Sequence, residues 1–247
     1  MNETKKRGLI DNFSDLVGNN WRSLGGLTLL FSIATILFDS ASAPIMNQLE
    51  GLQNTNDPQL LMDVLASHGP TSIIVSLFYF ILTAFYYASI NTISYRYLSN
   101  AENREEWLAA SIRKTPVIFI SYFIFIISLF IGIILLIIPG LIILFGALFA
   151  SMQIVADGKG PLGGLIASIK MSIKNIGKTC FTWAMVFVIS ISLVIMQMLA
   201  ATVLNDELAL YVIGVLKPIS TLGIALLISV IYMDIKANIP NTEKIEE

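Results

Sequence analysis

Long uncharged runs divide the chain, and short stretches between them hold nearly all of its charge. A hydrocarbon core about 30 Å thick takes about 20 apolar residues as a helix. Residues 21–45, with an uncharged centre at 23–38, satisfy that length, as do residues 71–95. The next uncharged run, 115–156, has 42 residues. As one helix it would reach roughly 63 Å, about two bilayer cores. Pro139-Gly140 divides it, a helix stop followed by a flexible residue. The pattern predicts a tight hairpin there, 116–137 going out and 141–156 coming back. Residues 179–205 give a fifth span, and 208–233 a sixth, interrupted at Lys217-Pro218. Lipid offers the backbone no hydrogen-bond partners, so helices are expected. The runs also exceed the roughly 9–11 residues of a barrel strand.

A second periodicity precedes each outgoing span. In residues 8–21, Leu9, Ile10, Phe13, Leu16, Val17 and Trp21 recur at helical spacing. Residues 105–115 form a similar segment. So do residues 160–179, with Leu162, Leu165, Ile166, Ile169, Ile173 and Ile176 on one side. LAASIR at 108–113 answers LIASIK at 165–170, and GLI recurs at 8–10 and 164–166. The expected fold is an all-α integral membrane protein, a single polytopic domain over 1–247. It has six transmembrane helices as three hairpins, each preceded by a cytoplasmic amphipathic interfacial helix. The repeats run over 8–98, 105–156 and 160–234.

Composition agrees with a lipid-facing surface. Hydrophobic residues make up 55% and charged residues 13% of 247, where soluble domains carry roughly 25% charged. A net charge of −2 argues against a nucleic-acid partner. All Lys and Arg except Lys217 fall in the N-terminal segment (Lys5, Lys6, Arg7, Arg22), the second-to-third and fourth-to-fifth loops, or the tail (Lys236, Lys244). The positive-inside rule then places both termini in the cytoplasm. Trp21, Tyr95, Tyr97, Trp107, Trp183 and Tyr232 lie near the inner ends, as an aromatic belt should. Lys5-Lys6-Arg7, an apolar stretch and Ala41-Ser42-Ala43 also resemble a cleaved signal peptide. Over twenty residues with Asp11 and Asp15 precede the apolar stretch, which favours a retained first span.

Candidate chemistry is sparse. Lys217 is the one charge clearly inside an expected span rather than near its end. Such charges cost about 2.5–3.5 kcal/mol on insertion scales and often mark function. It reads either as a substrate or lipid contact or as a side chain snorkelling toward Asp206 or Glu207. Ser76, Thr83, Tyr87 and Ser94 share an arc of the second span, with Asn91 near it; Thr179, Trp183, Ser190 and Gln197 share one on the fifth. Both arcs fit a polar path, and both fit helix–helix hydrogen bonding. Gly132, Gly140 and Gly146 suit close helix contact or turning rather than phosphate binding. Lys170, Lys174 and Lys178 form an i, i+4, i+8 stripe that suits anionic lipid, although topology alone also places lysines there. His68 and Cys180 each stand alone, which excludes a multi-histidine metal site and an internal disulfide. His68 sits in a polar, acidic outer segment, 39–70, with a short helix expected near 57–67. No H-E-x-x-H, G-x-S-x-G or Walker motif is present. No enzymatic activity and no cofactor are expected.

Residues 137–179 read IIPGLIILFGALFASMQIVADGKGPLGGLIASIKMSIKNIGKT. Here the chain resembles the YciC family of bacterial inner-membrane proteins. The pattern is a Pro-Gly turn, a short apolar helix, a glycine-containing cytoplasmic stretch and a serine-containing amphipathic helix. Pro139, Gly140, Gly158, Gly160, Ser168 and Ser172 carry it. The outer loop and overall length extend the resemblance over nearly the whole chain. It is also similar to membrane domains found beside some glycerophosphodiester phosphodiesterases, without their catalytic domain. The resemblance implies a Gram-negative inner membrane and brings no activity to transfer. The leading expectation is a non-enzymatic protein acting through lipid or membrane-protein contacts. The alternative is a permease subunit or small transporter, with residues 158–179 placed where a coupling helix would lie. Against it, no EAA-type motif and no intramembrane carboxylate for ion coupling is found.

Overall fold

The computed structural model describes residues 8–52, 58–99, 107–135 and 137–238, and at 44–52, 58–66, 68 and 206 the backbone alone. Lys5, Lys6, Arg7, Arg104 and Lys244, and the side chains of His68 and Asp206, lie outside that description. The described residues form helices and no strand. The helices are α1 (Leu9–Leu52), α2 (Pro58–Leu98), α3 (Trp107–Leu135), α4 (Ile137–Gly146), α5 (Ala150–Asp157), α6 (Pro161–Lys174), α7 (Ile176–Val203) and α8 (Asp206–Ala237). A 3₁₀ turn, Ala147–Phe149, joins α4 to α5. Six stretches are long and apolar enough to cross a membrane: Leu9–Ala43, Gly69–Leu98, Trp107–Leu135, Ile137–Asp157, Ile176–Val203 and Glu207–Ala237. The chain is a multi-pass membrane protein.

Several boundaries differ from the sequence reading. Nothing breaks the chain between residues 8–21 and the first span, so both lie in the single helix α1. The segment before the third span is likewise the start of α3, with Pro116 accommodated inside it. Only α6 stands as a separate helix. Gly158, in the left-handed region at φ 66, ends α5. Gly160 is extended and Pro161 opens α6, where its missing N–H costs nothing. The helix expected near 57–67 is the start of α2 and runs on through Pro70. The sixth span is not interrupted at Pro218 either. α8 continues through it, capped at its start by the Asn205 side chain, which accepts from the Leu208 N–H at 2.9 Å.

The turn between the third and fourth spans also lies earlier than Pro139-Gly140. α3 ends at Leu135 and α4 begins at Ile137. Pro139 therefore sits in the first turn of the returning helix, where proline is tolerated. Gly140 instead packs against α3. A Cβ on Gly132 would fall 2.8 Å from the Gly140 Cα, and one on Gly140 would fall 2.9 Å from the Ile133 nitrogen. Gly140→Val is accordingly expected to lower stability by about 1–3 kcal/mol, as overpacking does. The exposed Pro139→Ala should stay within about 1 kcal/mol. Thermal unfolding of both variants in one detergent checks the difference.

The core has three parts. Leu16, Leu24, Leu27 and Phe31 of α1 meet Tyr86, Ile90 and Ile93 of α2 and Leu226 and Val230 of α8. Phe149 and Met152 pack on Leu227, Ile231, Tyr232 and Ile235 of α8. Ala84, Ala88, Ile118 and Ile154 join α2, α3 and α5. α7 touches α8 and, more lightly, α6, so Phe187, Val188, Ile191, Val194 and Ile195 stay exposed. So much exposed aliphatic surface suits lipid, not water.

Candidate functional site

The fourth span is broken, and the break is closed by side chains from later in the chain. The Ala150 N–H bonds to the Ala147 carbonyl in the 3₁₀ turn. That leaves the Gly146 carbonyl without its usual helical donor four residues on. Ser168 of α6 donates to it at 2.5 Å and Ser172 at 3.3 Å. The Phe149 N–H goes to the Ser168 hydroxyl at 2.9 Å. The Phe145 carbonyl, which that N–H would otherwise serve, accepts from the Trp183 indole at 3.1 Å. Every backbone group freed by the break thus has a partner, as buried groups in an apolar setting require. The approach is possible because glycines line it. A Cβ on Gly146 would fall 2.9 Å from the Ile169 Cα, and one on Gly164 would fall 2.7 Å from the Ile154 Cγ1.

Docking this way gives α6 three faces. Gly164, Leu165, Ser168 and Ser172 are buried in the protein. Leu162, Ile166 and Ile173 stay exposed, and Ile176, just after α6, continues that line. Lys170 and Lys174 are exposed on the next face round. The apolar residues expected on one side therefore divide, with Leu165 turned inward and Leu162, Ile166 and Ile173 outward. Lys178 leaves the basic stripe. It pairs with Asp234 of α8 at 2.6 Å. Nearby, Lys236 pairs with Asp157 at the end of α5, and the Tyr232 hydroxyl donates to the same carboxylate at 2.8 Å. These pairs fasten the end of α8 to α5 and α7.

Lys217 does not turn to Glu207. Its ammonium lies 2.8 Å from the Asp39 carboxylate of α1, with side chains 38% and 19% exposed. At the next residue, the Pro218 carbonyl accepts from the Tyr86 hydroxyl at 3.0 Å, and that hydroxyl lies 3.0 Å from the Thr28 hydroxyl. Asn91 is buried between helices, its carbonyl oxygen accepting from Ser229 of α8 at 3.2 Å, with the Met152 sulfur 3.3 Å from the same hydroxyl. Gln153 is buried beside Met171 at 3.6 Å. Among the described residues, Ser89 Oγ, Asn91 Nδ2, Thr92 Oγ1 and Gln153 Oε1 are buried without a hydrogen-bond partner. Tyr87 meets Tyr122 edge-on at 5.7 Å, and Gln197 is half-buried on α7. Lys217, Asn91, Tyr87 and Gln197 thus lie in separate settings rather than one cluster. Asp39, read from the sequence as the start of the acidic outer segment, lies instead within the first candidate span, Leu9–Ala43, so the expectation of no intramembrane carboxylate does not hold. Gln153 and Ser229 escaped the sequence reading. Gln153 alone had a signal, as a carboxamide inside a long uncharged run.

A cleft of about 310 Å³ opens at the end of the bundle where α1 begins and α2 ends. Asn19, Asn20 and Ser23 line one wall, Ile93, Arg96 and Tyr97 another, and Trp107 of α3 closes it. The Asn19 amide donates to the Asp15 carbonyl at 2.8 Å and to the Tyr97 hydroxyl at 2.9 Å. The Asn20 amide donates to the Leu16 carbonyl at 2.9 Å. Among the described residues, no group of three or more His, Cys, Asp or Glu side chains is placed to hold a metal ion. No family model matches the chain, and no curated protein or solved structure shows significant similarity to it.

Proposed function

We propose that this is a non-enzymatic protein of a bacterial inner membrane that works through contacts with lipids or other membrane proteins at the cytoplasmic leaflet. The observation that carries this reading is α6. Its small face is docked on the broken span, and its exposed apolar residues border the exposed Lys170 and Lys174. That order of faces suits a helix lying in the interface, apolar residues toward the acyl chains and lysines toward headgroups. The Lys/Arg distribution supports cytoplasmic termini and three hairpins, and the YciC resemblance supports the inner membrane. A permease subunit has one feature in its favour, the separate helix α6 between the fourth and fifth spans. Copurification with an ATPase would select that reading instead.

Three measurements test the proposal. Reporters fused after Asn100, Gly158 and Glu247 should report cytoplasm, and those after Glu50 and Asn205 periplasm. Spin labels scanned through Leu162–Ile176 in bilayers should vary in depth with a period near 3.6 residues. In low salt, Lys170→Gln with Lys174→Gln should reduce enrichment of anionic lipid around the purified chain several-fold, since each lysine near such a surface contributes about 1 kcal/mol. A flat depth profile with unchanged lipid enrichment would remove the basis for the reading.

A further inference from the structure

We propose that the cleft between α1, α2 and Trp107 is a binding site for a phosphate ester anion, carried at the membrane surface on a phospholipid headgroup. It rests on the lipid-contact reading above for its setting but uses none of the α6 residues.

The wall chemistry selects an anion with hydroxyl neighbours. Among the described residues, Arg96 is the only charged side chain lining the cleft, and no carboxylate among them lines it. A guanidinium presents five N–H donors in a planar fork that matches phosphate. Arg96 already has an interaction within the protein, and a fork of five donors serves more than one acceptor. The Asn20 amide has a second N–H beyond the one given to Leu16. The Ser23 hydroxyl adds a further donor on the same wall. Asn19 is different. Both of its N–H groups are committed, to Asp15 and to Tyr97. Its amide oxygen is thereby oriented as an acceptor, suited to a hydroxyl of a glycerol-type headgroup rather than to the phosphate itself.

Size and surroundings agree. A volume of about 310 Å³ lies at the lower end for ligand pockets. Tyr97 and Trp107, amphipathic rings of the kind that sit at headgroup level, form part of the wall. Trp21, next in sequence to Asn20, is exposed, with the Arg22 guanidinium 5.5 Å over its ring. Further along the same helix Leu29, Leu30 and Ile33 are exposed, and Leu108 and Ile112 are exposed on α3. Both helices therefore offer exposed apolar residues to acyl chains.

The test uses the purified full chain and native mass spectrometry. It is titrated with short-chain phosphatidylglycerol, with the matching phosphatidylcholine, and with phosphatidylglycerol in the presence of sodium phosphate. Phosphatidylglycerol should be retained in preference to phosphatidylcholine. Arg96→Gln should weaken that retention about tenfold to a hundredfold, as loss of charge-assisted hydrogen bonds does. Arg96→Lys, keeping the charge without the fork, should fall between. Asn20→Ala with Ser23→Ala should weaken it without touching Arg96, so a folding defect in the arginine variants leaves the test intact. Competition by free phosphate would show that the phosphate group alone is recognised; no competition would assign the site to the lipid-borne ester. Retention that is unchanged in Arg96→Gln and in the Asn20/Ser23 variant overturns the proposal. If Lys170→Gln with Lys174→Gln then abolishes retention, the α6 reading stands alone. If no variant changes it, both fall.

Discussion

Leucine in place of Gly146 is expected to expel α6 from the fourth span and to lower stability by about 3–5 kcal/mol. Two terms contribute. Any Cβ at this position meets the Ile169 backbone at 2.9 Å, and overpacking of this kind costs about 1–3 kcal/mol. Moving α6 away also strips Ser168 and Ser172 from the Gly146 carbonyl, and a buried group left unpaired costs a further 1–3 kcal/mol or so. Gly163→Ala is the matched control, because its nearest neighbour would be Lys159 Cβ at 3.9 Å. It should be neutral or slightly stabilising, since alanine is the better helix former. The readouts are thermal unfolding in detergent and trypsin cleavage after Lys170 and Lys174. Equal unfolding temperatures and equal protection in the two variants would mean that α6 is not held as described.

The second large effect is expected from Lys217→Leu. Removing one member of an intramembrane ion pair leaves the other charged in a poor solvent, or forces it to take up a proton. Because the Lys217 side chain is 38% exposed and that of Asp39 19%, the loss should be about 1–3 kcal/mol rather than the value for a fully buried pair. Asp39→Asn in the same chain should recover most of it, since the orphaned charge is gone. Exchanging the two, Asp39→Lys with Lys217→Asp, should retain the pairing and much of the stability. A double variant no more stable than Lys217→Leu alone would assign Lys217 a role outside this pair.

The spans were legible because lipid demands long, nearly uncharged apolar runs, and the sequence shows them despite Asp39 and Lys217. What was not legible depended on partners far along the chain. Asp39 and Lys217 are 178 positions apart, and nothing local links them. The break after Gly146 carries no proline, and its only sign is a glycine among apolar residues. Ser168 and Ser172, at i and i+4, mark the face that closes it, but the groups they satisfy lie 19 to 26 residues earlier. Pro139 misled in the other direction. A proline is as acceptable in the first turn of a helix as beyond its end, so the dipeptide located the turn only to within one helical turn. The first two amphipathic segments read as separate helices because their apolar spacing is distinct, yet each runs into its span as one helix, the second straight through Pro116.

The accounting at the broken span has a consequence for the order in which the chain assembles. Ser168 and Trp183 emerge from the ribosome well after residues 145–150. Until they arrive, the freed carbonyls have no donors in the hydrocarbon, and an unbroken helix with its own ladder is the lower-energy form of that segment. The fourth span is therefore expected to enter the bilayer straight and to acquire its 3₁₀ turn only when α6 and α7 come alongside. A chain truncated between Gly160 and Ser168 should then carry a regular fourth helix.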